Sequence, residues 1–158
     1  KLIARQKDVY DGAVPSGNSV ALLNLIRLSR FTSNIYFEKK ASVLVNSFSG
    51  YVSKSPSAFC MFMCGLDFLF SASTEVVIVS DNKDNLAIKG INLIRSVFNP
   101  NKVVILKFDN TTTDYSELLS FTNYMKMKDN NTTFYVCRDY TCNQPVNSLI
   151  ELEKLLLS

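Results

Sequence analysis

Two groups of residues in this 158-residue sequence have types and spacings that could do chemistry. The first is the run Asp11-Gly12-Ala13-Val14-Pro15-Ser16-Gly17-Asn18-Ser19. Gly12 and Gly17 allow a tight turn, Pro15 stiffens it, and Ser16, Asn18 and Ser19 offer donors and acceptors. Backbone N–H groups at the start of a following helix would favour an anion or a sugar hydroxyl there. Asp11 is the carboxylate of the run, so it is the candidate for charge or acid–base work. The other use of the same residues is a tight loop and helix cap, with Asp11 bonding the backbone of its own turn. The second group is Cys137 and Cys142, in Cys-Arg-Asp-Tyr-Thr-Cys. They could close a disulfide across a turn, act as a redox pair, give two ligands to a metal, or stay reduced in a structural turn. The spacing is looser than C-x-x-C, and no histidine completes a metal site, so no metal is expected.

The remaining candidates are weaker. Cys60 and Cys64 are four apart beside Phe59, Phe62 and Met63, which predicts buried, inert thiols acting as small hydrophobes. Ser80-Asp81-Asn82 and Asp109-Asn110 follow two apolar runs, where open α/β sheets place ligands. No glycine-rich nucleotide fingerprint accompanies them, so no cofactor is expected. Asn110, Asn130 and Asn131 stand in glycosylation sequons, which matter only in a secreted chain.

Composition removes whole classes of mechanism. Histidine and tryptophan are both absent. Ser-His-Asp and Cys-His catalysis therefore cannot arise from this chain alone, and proton transfer falls to Asp, Glu, Lys, Tyr or Cys. The net charge is +3, with eight basic and three acidic residues in 1–54 and nine basic and eleven acidic residues in 55–158. No Lys/Arg cluster is interleaved with aromatics, so no nucleic-acid partner is expected. No apolar run is long enough to span a membrane, so no membrane partner is expected. The first residues carry no apolar signal region, and the expected location is cytoplasmic.

The elements that must position these residues change character near residue 73. Before it the apolar period is helical, and helices are predicted over about 18–31, 34–53 and 55–71. Ser16 or Asn18 is the cap of the first; Ser55 caps the third, with Pro56 at its first position. After residue 73, strands and helices alternate. Strands are predicted at Glu75–Val79, Lys102–Phe108 and Thr132–Cys137. Helices are predicted at Asp84–Phe98, from Asp114 through Met125, and at Leu149–Leu157, the last opened by a capping box at Ser148 and Glu151. A helix cap is expected within Ser80-Asp81-Asn82. The resulting fold class is mixed α/β. Helices fill residues 1–73, and a βαβαβα region with three mostly parallel strands fills 74–158. Phe59, Phe62, Phe68 and Phe70 cannot all face one narrow stripe, which predicts an exposed apolar patch and self-association.

The sequence D-G-A-V-P-S-G-N-S-V-A followed by N-L-I-R-L resembles a segment of the spermatogenesis-associated protein 20 family, with D-G-A-x-P-S-G-N-S-V-A-x-x-N-L-x-R-L. V-V-I-V, N-P-N-K-V-V-I-L and Y-V-C-R-D-Y-T-C-N-Q-P-V are similar to later segments, so the resemblance runs along essentially the whole chain. One departure is Phe31-Thr32-Ser33, where the family has Leu-Thr-Gly; another is Ser80, where relatives often have glycine. The resemblance implies a thioredoxin-like domain followed by a six-hairpin α/α toroid like those of glycosidases and sugar epimerases. Residues 1–73 would then be the last toroid helices, and 74–158 a terminal α/β region. It implies that Asp11, Pro15, Ser16, Asn18 and Ser19 lie near the mouth of the toroid cavity. Asp11 would be a catalytic acid, and the other four would bind a sugar ligand. The function implied is carbohydrate-related in an intact protein and inactive in this chain alone, whose partner would be the remainder of its own longer chain. The alternatives are a non-catalytic scaffold or interaction module, or a redox accessory acting through Cys137 and Cys142.

Overall fold

The computed structural model describes residues 7–81, 84–109, 117–139 and 141–158. The chain divides into two compact units, Lys1–Ser71 and Ala72–Ser158.

The first unit is helical. Helix α1 spans Gly17–Thr32, α2 spans Ile35–Val52 and α3 spans Cys60–Phe70. The Ser16 hydroxyl accepts from the Ser19 N–H and starts α1, and the Asn34 side chain accepts from the Tyr36 N–H and starts α2. Between them Ser33 has φ 53°, the left-handed conformation that glycine adopts most easily, at the position where the resembled family carries glycine. Pro56 opens only a 3-10 turn, Pro56–Ala58, and not the long third helix predicted. Phe59, at φ −136° and ψ 44°, interrupts the helical backbone before α3. Helix α1 packs against both α2 and α3. The packed residues Leu22, Ile26, Phe48 and Phe62 are buried, each burial contributing roughly 1.5–3 kcal/mol. The rings of Phe48 and Phe62 meet edge to face at 6.2 Å. A Cβ on Gly65 would lie 2.8 Å from Leu22 Cγ, so the close approach of α3 to α1 depends on this glycine.

The second unit is a mixed α/β domain with helices beside a four-stranded sheet of order β2-β1-β3-β4. Its elements are β1 (Thr74–Ser80), α4 (Asn85–Ser96), β2 (Lys102–Phe108), β3 (Thr133–Arg138), β4 (Thr141–Cys142) and α5 (Leu149–Leu157). Every residue of β1 is buried, as expected of a central strand covered on both faces. Val76 and Ile78 form one core with Phe134, Val136, Ala87, Ile94 and Leu152. Phe134 presses on α4 where a Cβ on Gly90 would come within 2.6 Å of the ring. Lys102 reaches the carbonyls of Ile94 and Val97 at the end of α4, and its partial burial lowers its pKa.

The sheet departs from the predicted three-stranded, mostly parallel βαβαβα layer. Strands β1 and β2 are parallel around α4, but β3 is antiparallel to β1, and β4 is antiparallel to β3. The reason lies in the connection. The Asp114 cap falls outside the described residues, and residues 117–125 form turns and a 3-10 turn, Ser120–Thr122, with no α-helix among them. Lys107 donates to the carbonyls of Thr122 and Met125 and ties this segment down, so the chain re-enters the sheet running the other way. The cap of α4 is Asp84, accepting from the Leu86 N–H, and not Ser80 or Asp81; Asn82, the third residue of the run expected to hold the cap, is outside the described residues.

The toroid is likewise not found. Helix α1 packs on α2 and on α3, and a β-sheet domain follows. Of the phenylalanines expected to form an open patch, Phe62 and Phe68 are fully buried and Phe59 nearly so; Phe70 is exposed.

Candidate functional site

In the first unit, the polar loop is tied down by hydrogen bonds of its own side chains. Asp11 Oδ1 accepts from the Ser16 N–H at 2.8 Å, and Oδ2 accepts from the Phe62 N–H at 3.0 Å, in the first turn of α3. The Asp11 N–H donates to the Ala58 carbonyl. Burial raises the Asp11 pKa, but the bonds from Ser16, Phe62, Ser19 and Met61 outweigh it and hold the group below the ordinary aspartate value. Ser16 and Ser19 are buried and bonded to each other at 2.8 Å. Asn18 donates to the Asp8 carbonyl, and Pro15 is exposed. A cleft of about 600 Å3 lies among Asp8, Tyr10, Ser47, Tyr51 and Phe59, and none of Asp11, Pro15, Ser16, Asn18 or Ser19 lines it.

In the second unit, Cys137 and Cys142 form a disulfide, with S–S 2.00 Å and Cα atoms 3.8 Å apart. Cys137 ends β3 and Cys142 lies opposite it on the two-residue strand β4, so the pair bridges a tight hairpin. Cys137 is buried and Cys142 is exposed. The Tyr124 hydroxyl is 3.9 Å from Cys142 Sγ. Within the bridged loop Asp139 has φ 46°, and its Oδ1 accepts from the Ser73 N–H at 3.1 Å and the Ser73 hydroxyl at 3.4 Å. Ser73 Oγ also reaches Glu75 Oε1 at 2.5 Å. Glu75 pairs in register with Cys137 across β1 and β3, so the two side chains share a face. Glu75 is buried, and its Oε2 has no hydrogen-bond partner among the described residues.

Ser73, Glu75 and Asp139 are the residues that sequence reasoning missed. A signal for Glu75 was present: a lone acid opening a β-branched run that must be covered on both faces. Ser73 stands two residues before Glu75, but no signal in the sequence linked Asp139 to either, because its contact with Ser73 spans more than sixty residues.

Cys60 and Cys64 correct the prediction of buried thiols, because both are exposed. The buried side of α3 carries Phe62, Gly65 and Phe68, and the two thiols fall on the opposite side. At the end of β1, Ser80, Thr132 and Asp84 are joined by side-chain hydrogen bonds that hold the strand-to-helix turn. Hydrogen bonds from the Thr132 hydroxyl and the Leu86 N–H hold Asp84 below its ordinary pKa. No group of three or more His, Cys, Asp or Glu side chains is placed to hold a metal among the described residues. No described helix is long and apolar enough to cross a membrane.

The chain is similar to spermatogenesis-associated protein 20 of Homo sapiens, 34% identical over 154 residues that cover 96% of this chain and 19% of the human protein. The Mus musculus protein of that name is 32% identical over the same span, and an uncharacterized protein of Caenorhabditis elegans is 26% identical over 152 residues. The chain spans about a fifth of the length of these curated relatives. No family model and no solved structure matches it. These similarities support a distant link to that family and do not extend to the toroid. The glycosidase-like and carbohydrate-related function implied by the resemblance is overturned with it. The described residues form a helical unit and a small mixed α/β domain carrying a cysteine bridge, with no toroid cavity and no paired carboxylates of a sugar-processing site.

Proposed function

We propose that residues 72–158 act as a redox accessory module, exchanging the Cys137–Cys142 disulfide with a partner dithiol. The observation that carries this reading is the placement of the bridge. It spans a hairpin whose outer cysteine is exposed, and it closes a loop of only five residues' separation. By the chain-entropy relation a loop this short contributes roughly 2 kcal/mol, less than a bridge closing a long loop. Cys142 is exposed, and exposed bridges are the ones that exchange. In a cytoplasmic setting, small thiols and protein dithiols would supply the electrons.

The test is stoichiometric thiol labelling of the folded chain after incubation in glutathione buffers of graded potential. A bridge that opens while hydrogen exchange in β1 and β3 stays protected supports the module. A bridge that opens only with global unfolding overturns it.

A second reading is the interaction module, favoured by the outer edge of β2. That edge is unpaired among the described residues, and it borders a groove of about 220 Å3 lined by Ile91, Ile94, Val104 and Leu106. The remainder of a longer chain or a second copy would cover it. For the loop carrying Asp11, Pro15, Ser16, Asn18 and Ser19, the hydrogen bonds favour a clasp that holds the start of α3 over a ligand contact.

A further inference from the structure

We infer that the Cys137–Cys142 bridge is a latch on the segment that joins the two units. Oxidised, it holds Asp139 on Ser73; reduced, it lets the loop lift and frees the short connection from α3 into β1. This rests on the redox reading and names what the redox change controls. Helix α3 ends at Phe70 and β1 begins at Thr74, so Ser71, Ala72 and Ser73 make the connection. The boundary between the units falls after Ser71. Ser73 is fully buried. Its N–H donates to Asp139 Oδ1 at 3.1 Å, and its hydroxyl lies 3.4 Å from the same oxygen. Its carbonyl accepts from the Asp139 N–H at 3.4 Å. One residue of the cysteine loop thus holds both backbone groups of the last residue of the connection.

That hold depends on the bridge. Strand β4 has two residues, both exposed, and pairs with β3 at Cys137–Cys142 and Arg138–Thr141. A ladder this short does not hold itself in water, and no burial of β4 reinforces it. Asp139 also sits at φ 46°, a left-handed conformation that costs a residue with a Cβ. The covalent bond is what keeps the loop in place. Beyond β4 the chain is secured again: the Asn143 N–H donates to the Val136 carbonyl, and Val146 exchanges backbone bonds with Phe134. Release is therefore confined to the loop between Arg138 and Asn143, and the sheet stays folded. The released state also has a gain of its own. Glu75 Oε2 is buried with no partner among the described residues, while Oε1 is held by the Ser73 hydroxyl. A buried acceptor left unpaired costs free energy, and water entering as Asp139 leaves satisfies it.

The latch opens by thiol–disulfide exchange with a dithiol. Its first thiolate attacks the exposed Cys142 Sγ; the Sγ–Sγ bond breaks, its electron pair goes to Cys137 Sγ, and a mixed disulfide forms on Cys142. The second thiolate attacks its own sulfur in that mixed disulfide and releases Cys142. The dithiol has lost two electrons and become a disulfide. Both cysteine sulfurs take up protons from the solvent, to which the dithiol gave its own.

The experiment is residue-resolved amide exchange by NMR on the 158-residue chain, oxidised and after dithiothreitol. On reduction the Ser73 amide should exchange roughly tenfold or more faster, as local opening allows, while Val76, Val77 and Ile78 keep their protection. Asp139→Gly tolerates the left-handed backbone but removes the carboxylate. It should speed Ser73 exchange to a similar degree with the bridge intact. A reduced chain whose Ser73 amide stays as protected as before overturns the latch and leaves the redox reading standing. So does an oxidised Asp139→Gly chain with unchanged Ser73 protection. Should that variant fail to fold, the reduced parent decides alone. A bridge that does not form, or that resists dithiothreitol until the sheet unfolds, overturns the redox reading and the latch with it.

Discussion

Asp11 and Asp139 do similar work in the two units. Each carboxylate accepts from the backbone N–H of a residue far along the chain, Phe62 for Asp11 and Ser73 for Asp139. The two crossings differ in what surrounds them. Around Asp11 both carboxylate oxygens are engaged, and the neighbouring Ser16 and Ser19 satisfy each other. Around Asp139 there is a disulfide with one exposed sulfur, and a buried glutamate with one oxygen to spare. A network that is completely satisfied has little to gain from a second state, and it rigidifies what it holds. A network with a breakable covalent bond and an unused acceptor has a second state in reach. The comparison teaches that polar density and a second accessible state are separate properties: in the denser cluster, Asp11 to Ser19, the Asp11, Ser16 and Ser19 side chains are bonded within the helical unit.

The largest expected effect comes from breaking the satisfied network. Asp11→Ala strips two N–H groups of a charged acceptor and should destabilise the helical unit by roughly 2–3 kcal/mol. Residue-resolved hydrogen exchange during urea unfolding would register it in α1 and α3. An Asp11→Ala chain with unchanged protection there would remove the clasp from the comparison.

Removing the bridge should cost less. Cys137→Ser with Cys142→Ser should lower the stability of the second unit by about 2 kcal/mol, because the loop it closes is short. The check is the same exchange measurement read in β3. A loss twice as large would make the bridge a structural staple and weaken the redox reading. Gly90→Ala should fall in a similar range, roughly 1–2 kcal/mol in the same unit, because crowding Phe134 outweighs the better helix propensity.

Acid sharpens the contrast further. Asp11 has its pKa lowered in the folded chain, so its contribution to stability is fully present above the unfolded value of about 3.9. That contribution is lost as the pH falls through the lower folded value, where the carboxylate takes up its proton. Asp11→Asn should therefore flatten the acid dependence of α1 and α3, as read by amide signals between about pH 5 and pH 2. An acid dependence of the helical unit that the variant leaves intact would assign it to another group. The smallest effect is expected at Lys126, whose contact with Asp109 is 3.6 Å long and mostly exposed on the lysine side. Lys126→Ala should change stability by less than about 0.5 kcal/mol in denaturant melts. A larger loss would mean that the turns at 117–126 depend on more than the Lys107 bonds.

What the sequence alone determined here is local. The caps at Ser16, one of the two residues expected there, and Ser148 place helix starts, because a side-chain oxygen meets an N–H within three residues. The β-branched runs mark β1 and β2 to within a residue, because a continuous apolar stretch bounded by polar turns reads as a covered strand. The Ser148–Glu151 capping box forms as its spacing demands. Only the tertiary structure decided the direction of β3. Sheet pairing depends on where the connecting segment docks, and Lys107 and the turns at 117–126 set that at a distance. It also decided which face of α3 is buried: the helix is apolar nearly all round, and only contact with Leu22 chooses Gly65 and Phe62 over Cys60 and Cys64. The site followed the same rule. Cys137 and Cys142 are legible as a pair because they are five apart. Glu75 of β1, and Ser73 just before that strand, lie more than sixty residues earlier and are brought alongside by the antiparallel register of the sheet.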